Sequence, residues 1–161
     1  MSGEVTVRRA TAADREAIGP LWQEMMEYHC RLDPEVFALA EDALSCWLEW
    51  FDTILQDENR IVLVAKVDGK PVGYVHGTVG ETPPVYARRK HGSIVEISVT
   101  ASWRRRGVGG KLVGALFDWF RQRGLAEVRM GRSAHNPLAT AFWRKMGFEP
   151  HMVQMRRRLK G

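Results

Sequence analysis

The chain has 161 residues, of which 45% are hydrophobic and 27% are charged, and its 24 lysines and arginines against 19 acidic residues give a net charge of +5. This length and composition suit a single globular domain over residues 1–161. No stretch approaches the roughly 18 consecutive apolar residues of a membrane span, and the polar start MSGEVTVRR excludes a secretory signal, so we expect a cytoplasmic protein with no membrane contact. The positive charge is compatible with a nucleic acid or an anionic ligand.

The two cysteines predict no metal site. Neither Cys30 nor Cys46 belongs to a Cys-x-x-Cys pair or lies at ligand spacing from a histidine. Both fall on segments with helical periodicity. We therefore expect two buried free thiols and no bound metal.

The chain begins with the pattern of a short strand and a helix. Residues 5–9 alternate like a strand, and Thr11 and Asp14 have the spacing of a capping box. Pro20 falls inside the helix and should kink or divide it. The apolar face of this helix is formed by Ile18, Leu21, Trp22, Met25 and Leu32.

A second helix and a hairpin follow Pro34. The apolar positions of the helix are spaced by three and four residues: Leu44, Trp47, Leu48, Phe51, Ile54 and Leu55. Residues 61–67 and 72–79 then have strand composition, and Asp68-Gly69 between them predicts a hairpin turn. We expect both helices to pack on the sheet that this hairpin starts.

The second half of the chain predicts alternating strands and helices. A polar loop over residues 81–92 precedes a strand at 94–99, and a further strand covers 126–130. The helix between these strands has its apolar residues at Leu112, Val113, Leu116, Phe117 and Phe120. Asn136-Pro137 opens a short helix, and a last strand is predicted around residues 152–159.

The stretch SWRRRGVGGKL, residues 102–112, places three arginines against a glycine-rich turn at a helix start. The unpaired N–H groups and the positive dipole end of a helix N-terminus favour phosphate, and glycines let a ligand approach the backbone. Arg104, Arg105, Arg106 and Lys111 add enough charge for a diphosphate. The alternative is a glycine-rich turn beside a solvated basic patch.

Two common phosphate-binding motifs do not fit this turn. A P-loop needs Ser or Thr directly after its lysine, but Leu112 follows Lys111. The dinucleotide fingerprint would need its third glycine at Leu112 as well. The turn is therefore neither of these motifs.

The pattern Arg104-x-x-Gly107-x-Gly109, followed by Gly110, resembles the acyl-CoA-binding motif of the GNAT superfamily of N-acetyltransferases. Three blocks in order strengthen this resemblance: VRRATAADREAIGPLW, EISVTASWRRRGVGGKL and NPLATAFWRKMGFE. The resemblance implies an α/β (α+β) GNAT fold, with a mixed, mostly antiparallel central sheet, a splayed strand pair and about four flanking helices. It also implies acetyl-CoA as the cofactor.

The resemblance assigns cofactor contacts to three parts of this chain. The backbone of Ile97 and Val99 would pair with the pantetheine arm, although Val99 is a sheet residue in any fold. The diphosphate would be held by Arg104, Arg105, Arg106, Gly107, Val108, Gly109, Gly110 and Lys111. Asn136 would reach the arm, with Ala139 and Phe142 lining it, but Asn136 before a proline is also an ordinary helix N-cap.

Acetyl transfer to an amine requires a proton acceptor, because an alkylammonium has a pKa of about 10.4. Glu96 lies on the central strand where the family often carries an acidic residue, and alternation places Glu96 and Ser98 on the face opposite Val95, Ile97 and Val99. We expect Glu96 to act as general base, directly or through water. The alternatives are a solvated carboxylate and an ion pair with Arg88 or Arg89.

The general acid of the family is missing from its usual place. Trp143 stands where the resemblance would put a tyrosine that protonates the departing thiolate, and an indole N–H is not a usable acid. A free thiol has a pKa near 8.5, so the thiolate can leave without this help. Replacements for the tyrosine remain open among Ser98, Ser133, His135 and Tyr86.

The acceptor site would be built from residues 28–42, residues 81–92 and the region after His151, by resemblance to the family. The first segment is acidic and would suit a cationic amine, with Trp47 and Trp50 as an aromatic wall. Its acids are Asp33, Glu35, Glu41 and Asp42. The second segment is basic and aromatic, which suits an acidic acceptor equally well.

Two further functions compete with an N-acetyltransferase. A nucleic-acid-binding module would use the basic clusters 88–90, 104–106 and 156–158, but the sequence has no recognition helix or aromatic platform. An acyl-CoA-binding sensor or inactive homologue is the alternative that Trp143 favours. By analogy with the family a homodimer is compatible with the sequence, which indicates no interface.

Overall fold

The computed structural model describes residues 3–159, which form two compact units, residues 3–131 and residues 132–159. The first unit contains β1 (Thr6–Arg9), α1 (Arg15–Leu32), α2 (Ala43–Leu55), β2 (Arg60–Val67), β3 (Lys70–Glu81), β4 (Lys90–Val99), α3 (Val108–Gln122) and β5 (Val128–Met130). The second unit contains α4 (Pro137–Lys145). No helix within the described part of the chain is long and apolar enough to cross a membrane.

The five strands of the first unit form one mixed sheet in the order β1-β2-β3-β4-β5. The first four strands are antiparallel neighbours, and β5 is parallel to β4. β5 pairs only with residues 92–94 of β4, so the rest of β4 up to Val99 has no partner in β5. The mostly antiparallel sheet with a splayed strand pair is the arrangement that the resemblance implied.

The β2–β3 hairpin forms at the predicted turn. Asp68 and Gly69 have φ angles of 48° and 77°, so both lie in the left-handed region. A two-residue hairpin turn with two positive φ angles matches the twist of the flanking strands, and it favours the Asp-Gly dipeptide. The turn fixes the register in which Val67 pairs with Lys70.

α1 and α2 pack on one face of the sheet and build the main core with it. Ile18 and Phe51 are fully buried there, together with Val64 of β2. α1 runs without interruption through Pro20, so the expected division of this helix is wrong. Pro20 is the sixth residue of α1, so its missing N–H removes only a hydrogen bond to the first turn.

α3 packs on the opposite face of the sheet, against strand positions that carry no side chain. A Cβ atom built on Gly77 would lie 2.5 Å from Leu116, and one on Gly92 would lie 2.8 Å from Phe120. The helix therefore approaches β3 and β4 closely at these two glycines. These contacts hold the middle and the last turn of α3 against the sheet.

Two expectations from the sequence are wrong. Residues 151–159 form no strand, and Met152 and Met155 are 80% and 90% exposed. Strand propensity is realised only where a neighbouring strand supplies hydrogen bonds, and no described strand pairs with this segment. Cys46 is exposed on α2 instead of buried, while Cys30 is partly buried and donates to the Phe37 carbonyl at 2.8 Å.

Candidate active site

The turn between β4 and α3 presents backbone N–H groups at a helix start. A short 3-10 helix at Ala101–Trp103 is followed by two residues with positive φ, Arg105 at 61° and Gly107 at 80°, before α3 begins at Val108. Gly107 is the N-cap and has no side chain to bond the first N–H groups of the helix. These groups, at the positive end of the helix dipole, favour an anion.

All the residues predicted for the diphosphate lie on this turn or in the first turn of α3: Arg104, Arg105, Arg106, Gly107, Val108, Gly109, Gly110 and Lys111. The Arg106 guanidinium lies 5.0 Å from the centre of the Trp103 ring, which gives it a preferred position. Lys111 Nζ lies 3.4 Å from the Val5 carbonyl. Val108 is 1% exposed, so only its backbone is available to a ligand.

Arg104 differs from the neighbouring arginines because its side chain is bound within the protein. Its Nε donates to the Val99 carbonyl at 2.9 Å, and its Nη2 lies 3.1 Å from Oε1 of Glu24 on α1. In the sequence Arg104 is one of a row of basic residues, and nothing there points to Glu24 as its partner. The two residues are 80 positions apart, so no local pattern signals their contact.

Ile97 and Val99 lie on the part of β4 that has no partner in β5. Ile97 pairs with Val75, and Val99 pairs with Gly73. A Cβ atom on Gly73 would lie 3.3 Å from Leu112, so this set of side chains is on the α3 face. The backbone of β4 in this region is therefore not paired by β5, although the Val99 carbonyl accepts from Arg104 Nε.

Glu96 lies on the other face of β4, with Ser98, as the alternation predicted. The Trp47 indole donates to Glu96 Oε1 at 3.0 Å. Burial raises the pKa of Glu96 to about 7, and the hydrogen bond from Trp47 offsets part of this rise. The carboxyl group is therefore close to half-ionised at neutral pH, which suits a general base.

Two details of the neighbourhood of Glu96 differ from expectation. The alternative in which Glu96 forms an ion pair with Arg88 is wrong, because Arg88 Nη1 lies 2.9 Å from Oε2 of Glu127 instead. Val95 does not share the regular alternation, because a β-bulge opposite His76 leaves it without a pairing position and 45% exposed.

Two buried polar side chains of β3 lie on the same face as Glu96. His76 is directly opposite Glu96 in the register, and Tyr74 is opposite Ser98. Burial, and then the Glu96 charge, raise the pKa of Tyr74 well above its usual value, although its hydroxyl makes no hydrogen bond of standard geometry within residues 3–159. Burial and the charge of Arg60 lower the pKa of His76 to about 4. Neither residue stands out in the sequence, since each fits an ordinary strand position.

The second unit contains the other predicted cofactor residues. Asn136 Oδ1 accepts a hydrogen bond from the Ala139 N–H at 3.0 Å, so Asn136 is the N-cap of α4. Phe142 packs edge-on against Trp143, with 4.8 Å between ring centres, and Trp143 also contacts Phe148. Trp143 is 5% exposed and is a packing residue within its unit.

The four alternatives for the general acid have different surroundings. Ser98 is buried and donates to the Leu21 carbonyl at 2.8 Å. Ser133 accepts from the His135 N–H at 3.2 Å, and Tyr86 is 60% exposed. Among the described residues none of these four side chains is hydrogen-bonded to Glu96, so the structure assigns no general acid.

One of the segments predicted to bind the acceptor, the acidic loop, joins two helices that pack on the face of the sheet that carries Glu96. The acidic loop lies between α1 and α2, and three of its acids, Glu35, Glu41 and Asp42, are exposed. Trp47 is 6% exposed and belongs to the core, whereas Trp50 is 36% exposed and lies edge-on to His76 at 5.2 Å. Of the two predicted wall residues, only Trp50 has the exposure needed to contact an acceptor.

The sheet, the splayed strands and the turn before α3 define the class of protein. The sequence profile described as the acetyltransferase (GNAT) family matches residues 22–148. The chain belongs to the GNAT acetyltransferase family.

Individual relatives agree with this assignment. The chain is 29% identical over 108 residues to an uncharacterized N-acetyltransferase of Methanocaldococcus jannaschii, and the match covers 66% of this chain and 47% of that protein. The chain thus spans less than half the length of that relative.

Solved structures share the fold. A mutant of the BH1408 protein of Bacillus halodurans superposes with a TM-score of 0.88 at 23% identity, covering 96% of this chain and 99% of that one. An aminoglycoside N-acetyltransferase in complex with CoA superposes with a TM-score of 0.75 at 21% identity, covering 99% and 98%. At these identities the similarity establishes the fold.

Proposed function

We propose that residues 1–161 act as one N-acetyltransferase domain, which transfers the acetyl group of acetyl-CoA directly to the primary amine of a small molecule, with Glu96 as general base. The observation that carries this proposal is the largely buried Glu96 carboxyl group, whose pKa is raised to about 7 and which accepts a hydrogen bond from Trp47. The N-acetyltransferase relative and the CoA-bound structural neighbour support the same chemistry.

Backbone groups form the main part of the proposed cofactor site, and side chains add to it. The N–H groups at the start of α3 would hold the diphosphate, with Arg105, Arg106 and Lys111 adding positive charge at its rim. The backbone of β4 at Ile97 and Val99, which β5 does not pair, would bind the pantetheine arm through groups other than the Val99 carbonyl, which accepts from Arg104. Further contacts to the arm are proposed for Asn136, Ala139 and Phe142.

The proposed chemistry follows from the state of Glu96. Acetyl-CoA supplies an acetyl thioester, whose carbonyl carbon the amine attacks and whose sulfur leaves as a thiolate. An ammonium with a pKa of about 10.4 cannot attack, so Glu96 accepts its proton, directly or through water, and the amine becomes a nucleophile. A carboxyl group with a pKa of about 7 is a stronger base than an ordinary exposed glutamate.

Glu96→Gln tests the general base. Glutamine keeps the size of the side chain but cannot accept the proton, so we expect kcat/KM to fall about 100-fold or more, the typical contribution of general-base catalysis. The activity of the unmodified enzyme should decline as the pH falls below about 7, where Glu96 becomes protonated, and this limb should be absent from the variant. Steady-state rates between pH 5.5 and 9 with free-thiol detection measure both effects.

The control for this experiment is Glu58→Gln, which removes a carboxylate from an exposed position after α2. It should leave the pH profile unchanged. Calorimetric titration should show that acetyl-CoA binds to the Glu96→Gln variant within about twofold of the unmodified affinity, since Glu96 is not among the residues proposed to hold the cofactor. An unaltered pH limb in the Glu96→Gln variant would remove Glu96 from the mechanism.

An acyl-CoA-binding sensor is the second candidate function, because Trp143 is a packing residue that supplies no acid. Acetyl-CoA binding without turnover on a broad panel of cationic, neutral and acidic amines would favour the sensor over the enzyme. Cytoplasmic location and a homodimer are also proposals, and sedimentation velocity tests the dimer.

A further inference from the structure

Glu24 joins α1 to the turn that carries the proposed diphosphate site. Its Oε2 accepts a hydrogen bond from Thr100 Oγ1 at 2.9 Å. Its Oε1 accepts from the Ala101 N–H at 2.8 Å and from Arg104 Nη2 at 3.1 Å. Both carboxylate oxygens are thus used, and hydrogen bonds to a charged group are stronger than neutral ones. One side chain of α1 therefore holds three residues of the turn.

Arg104 completes this link on the side of the strand. Its Nε donates to the Val99 carbonyl at 2.9 Å while its Nη2 is bound to Glu24, so the guanidinium spans from the end of β4 to α1. The carboxylate of Glu24 compensates its charge. Arg105 and Arg106 are exposed on the turn and have no such ion pair in the described structure.

The helix that carries Glu24 is itself fixed against the sheet. Leu21 and Met25, on either side of Glu24, are buried in the main core. The Leu21 carbonyl accepts a hydrogen bond from Ser98 of β4 at 2.8 Å. On the strand side, the Thr100 N–H donates to the Val72 carbonyl at 2.9 Å. The carboxylate of Glu24 is thus presented to the turn from a rigid support.

We infer that Glu24 is a positioning residue for acetyl-CoA binding, which holds the segment from Thr100 to Arg104 so that the N–H groups at the start of α3 face the diphosphate. In this arrangement Arg104 is a structural link and not a phosphate ligand. The inference rests on the proposed function, because it requires this turn to bind acetyl-CoA. A turn that is ordered before binding loses less conformational entropy when the ligand arrives, so its affinity is higher.

The two roles for Arg104 predict different effects in a double-mutant cycle. If Glu24 and Arg104 form one link, Glu24→Ala and Arg104→Ala each break it, and the double variant should be no weaker than the weaker single variant. We expect Kd and KM for acetyl-CoA to rise about tenfold in all three, the effect of one lost charge-assisted hydrogen bond. Because Glu24 does not face the reacting atoms, kcat should stay within about twofold.

The measurements are calorimetric titration of acetyl-CoA and steady-state kinetics on the full chain. Glu24→Gln keeps one carbonyl oxygen as acceptor and should give an intermediate Kd, and it carries the test if Glu24→Ala does not fold. The matched control is Glu27→Gln, which changes the same charge at an exposed position one turn further along α1. Its Kd should equal that of the unmodified chain.

Three results would overturn the inference, each in a distinguishable way. Unchanged or tighter binding by the Glu24 variants, with weaker binding by Arg104→Ala, would make Arg104 a direct diphosphate ligand. A lower melting temperature and lower kcat with unchanged Kd would leave Glu24 only a stabilising role. An unmodified chain that binds no acetyl-CoA would refute the proposed function itself, whatever the variants do.

Discussion

His76 is the residue whose environment is least like that of an ordinary core side chain. It is 0% exposed, and neither ring nitrogen has a hydrogen-bond partner within residues 3–159. Burial and the nearby Arg60 lower its pKa to about 4, so the ring is neutral at pH 7. A buried polar group without a partner destabilises a fold by about 1–3 kcal/mol. Because His76 lies opposite Glu96 in the strand register, this unfavourable contribution to the free energy of folding arises beside the proposed base.

We therefore expect His76→Leu to raise stability. Leucine has a similar volume and no polar atom to desolvate, so the free energy of unfolding should increase by about 1 kcal/mol, or a few degrees in melting temperature. Thermal unfolding followed by circular dichroism measures the change. His151→Leu, at an exposed position, is the control and should leave the melting temperature unchanged. A destabilised His76→Leu variant would show that the imidazole is satisfied in solution.

The start of α3 illustrates how an element depends on one backbone conformation. Gly107 is its N-cap at φ 80°, and a Cβ atom there would contact nothing within 4 Å. The requirement for glycine is therefore conformational and not steric, since an L-residue is strained at this φ. The same conformation directs the first N–H groups of the helix outward.

Gly107→Ala should destabilise the chain by about 1 kcal/mol and weaken acetyl-CoA binding, because relief of the strain would rotate these N–H groups. Urea denaturation and calorimetry measure the two effects. Gly114→Ala, in the interior of α3 with open space around a Cβ atom, is the control and should stabilise the chain by about 0.5–1 kcal/mol. Equal effects of the two substitutions would contradict the role of the left-handed conformation.

At the scale of the first unit, Asp14 connects three elements through a buried carboxylate. Asp14 is 2% exposed and lies 2.8 Å from both Arg8 of β1 and Lys66 of β2, and it accepts from the Thr11 N–H at 2.9 Å. The hydrogen bond from Arg8 is the largest cause that holds its pKa well below the usual range. Stability from this carboxylate is fully present above the unfolded pKa of about 3.9, and it is lost as the pH falls further.

Asp14→Asn should lower the free energy of unfolding by about 2 kcal/mol at pH 7, since charge-assisted hydrogen bonds to Arg8 and Lys66 are lost. The difference between the variant and the unmodified chain should shrink as the pH is lowered from 5 toward 2, because the carboxyl group of the unfolded chain takes up its proton near pH 3.9 while the native carboxylate stays charged to lower pH. Urea titrations across this range measure it. Asp118→Asn, in an exposed pair with Arg121, should change stability by less than about 0.5 kcal/mol. A difference of the same size at pH 5 and pH 2 would exclude the carboxylate as its source.

The predictions that succeeded depend on signals within a few residues. Positive φ angles favour glycine, and in a two-residue hairpin turn they favour Asp-Gly. The Asp68-Gly69 turn and the glycine-rich start of α3 could therefore be predicted from a few residues. The faces of β4 around Glu96 and Ser98 followed from strand alternation. The strand at residues 152–159 was wrong because a propensity cannot supply the neighbouring strand that it needs.

The sequence by itself determined the order and nature of the elements from β1 to α4, the family and the position of Glu96, since periodicity, capping and turn chemistry are local properties of the chain. Only the tertiary structure decided that Glu96 is largely buried with a pKa near 7, that His76 lies opposite it, and that Glu24 holds Arg104. Each of these facts depends on contacts between residues distant in sequence. Desolvation and ion pairing are set by which groups meet in space, and no short stretch of residues contains that information.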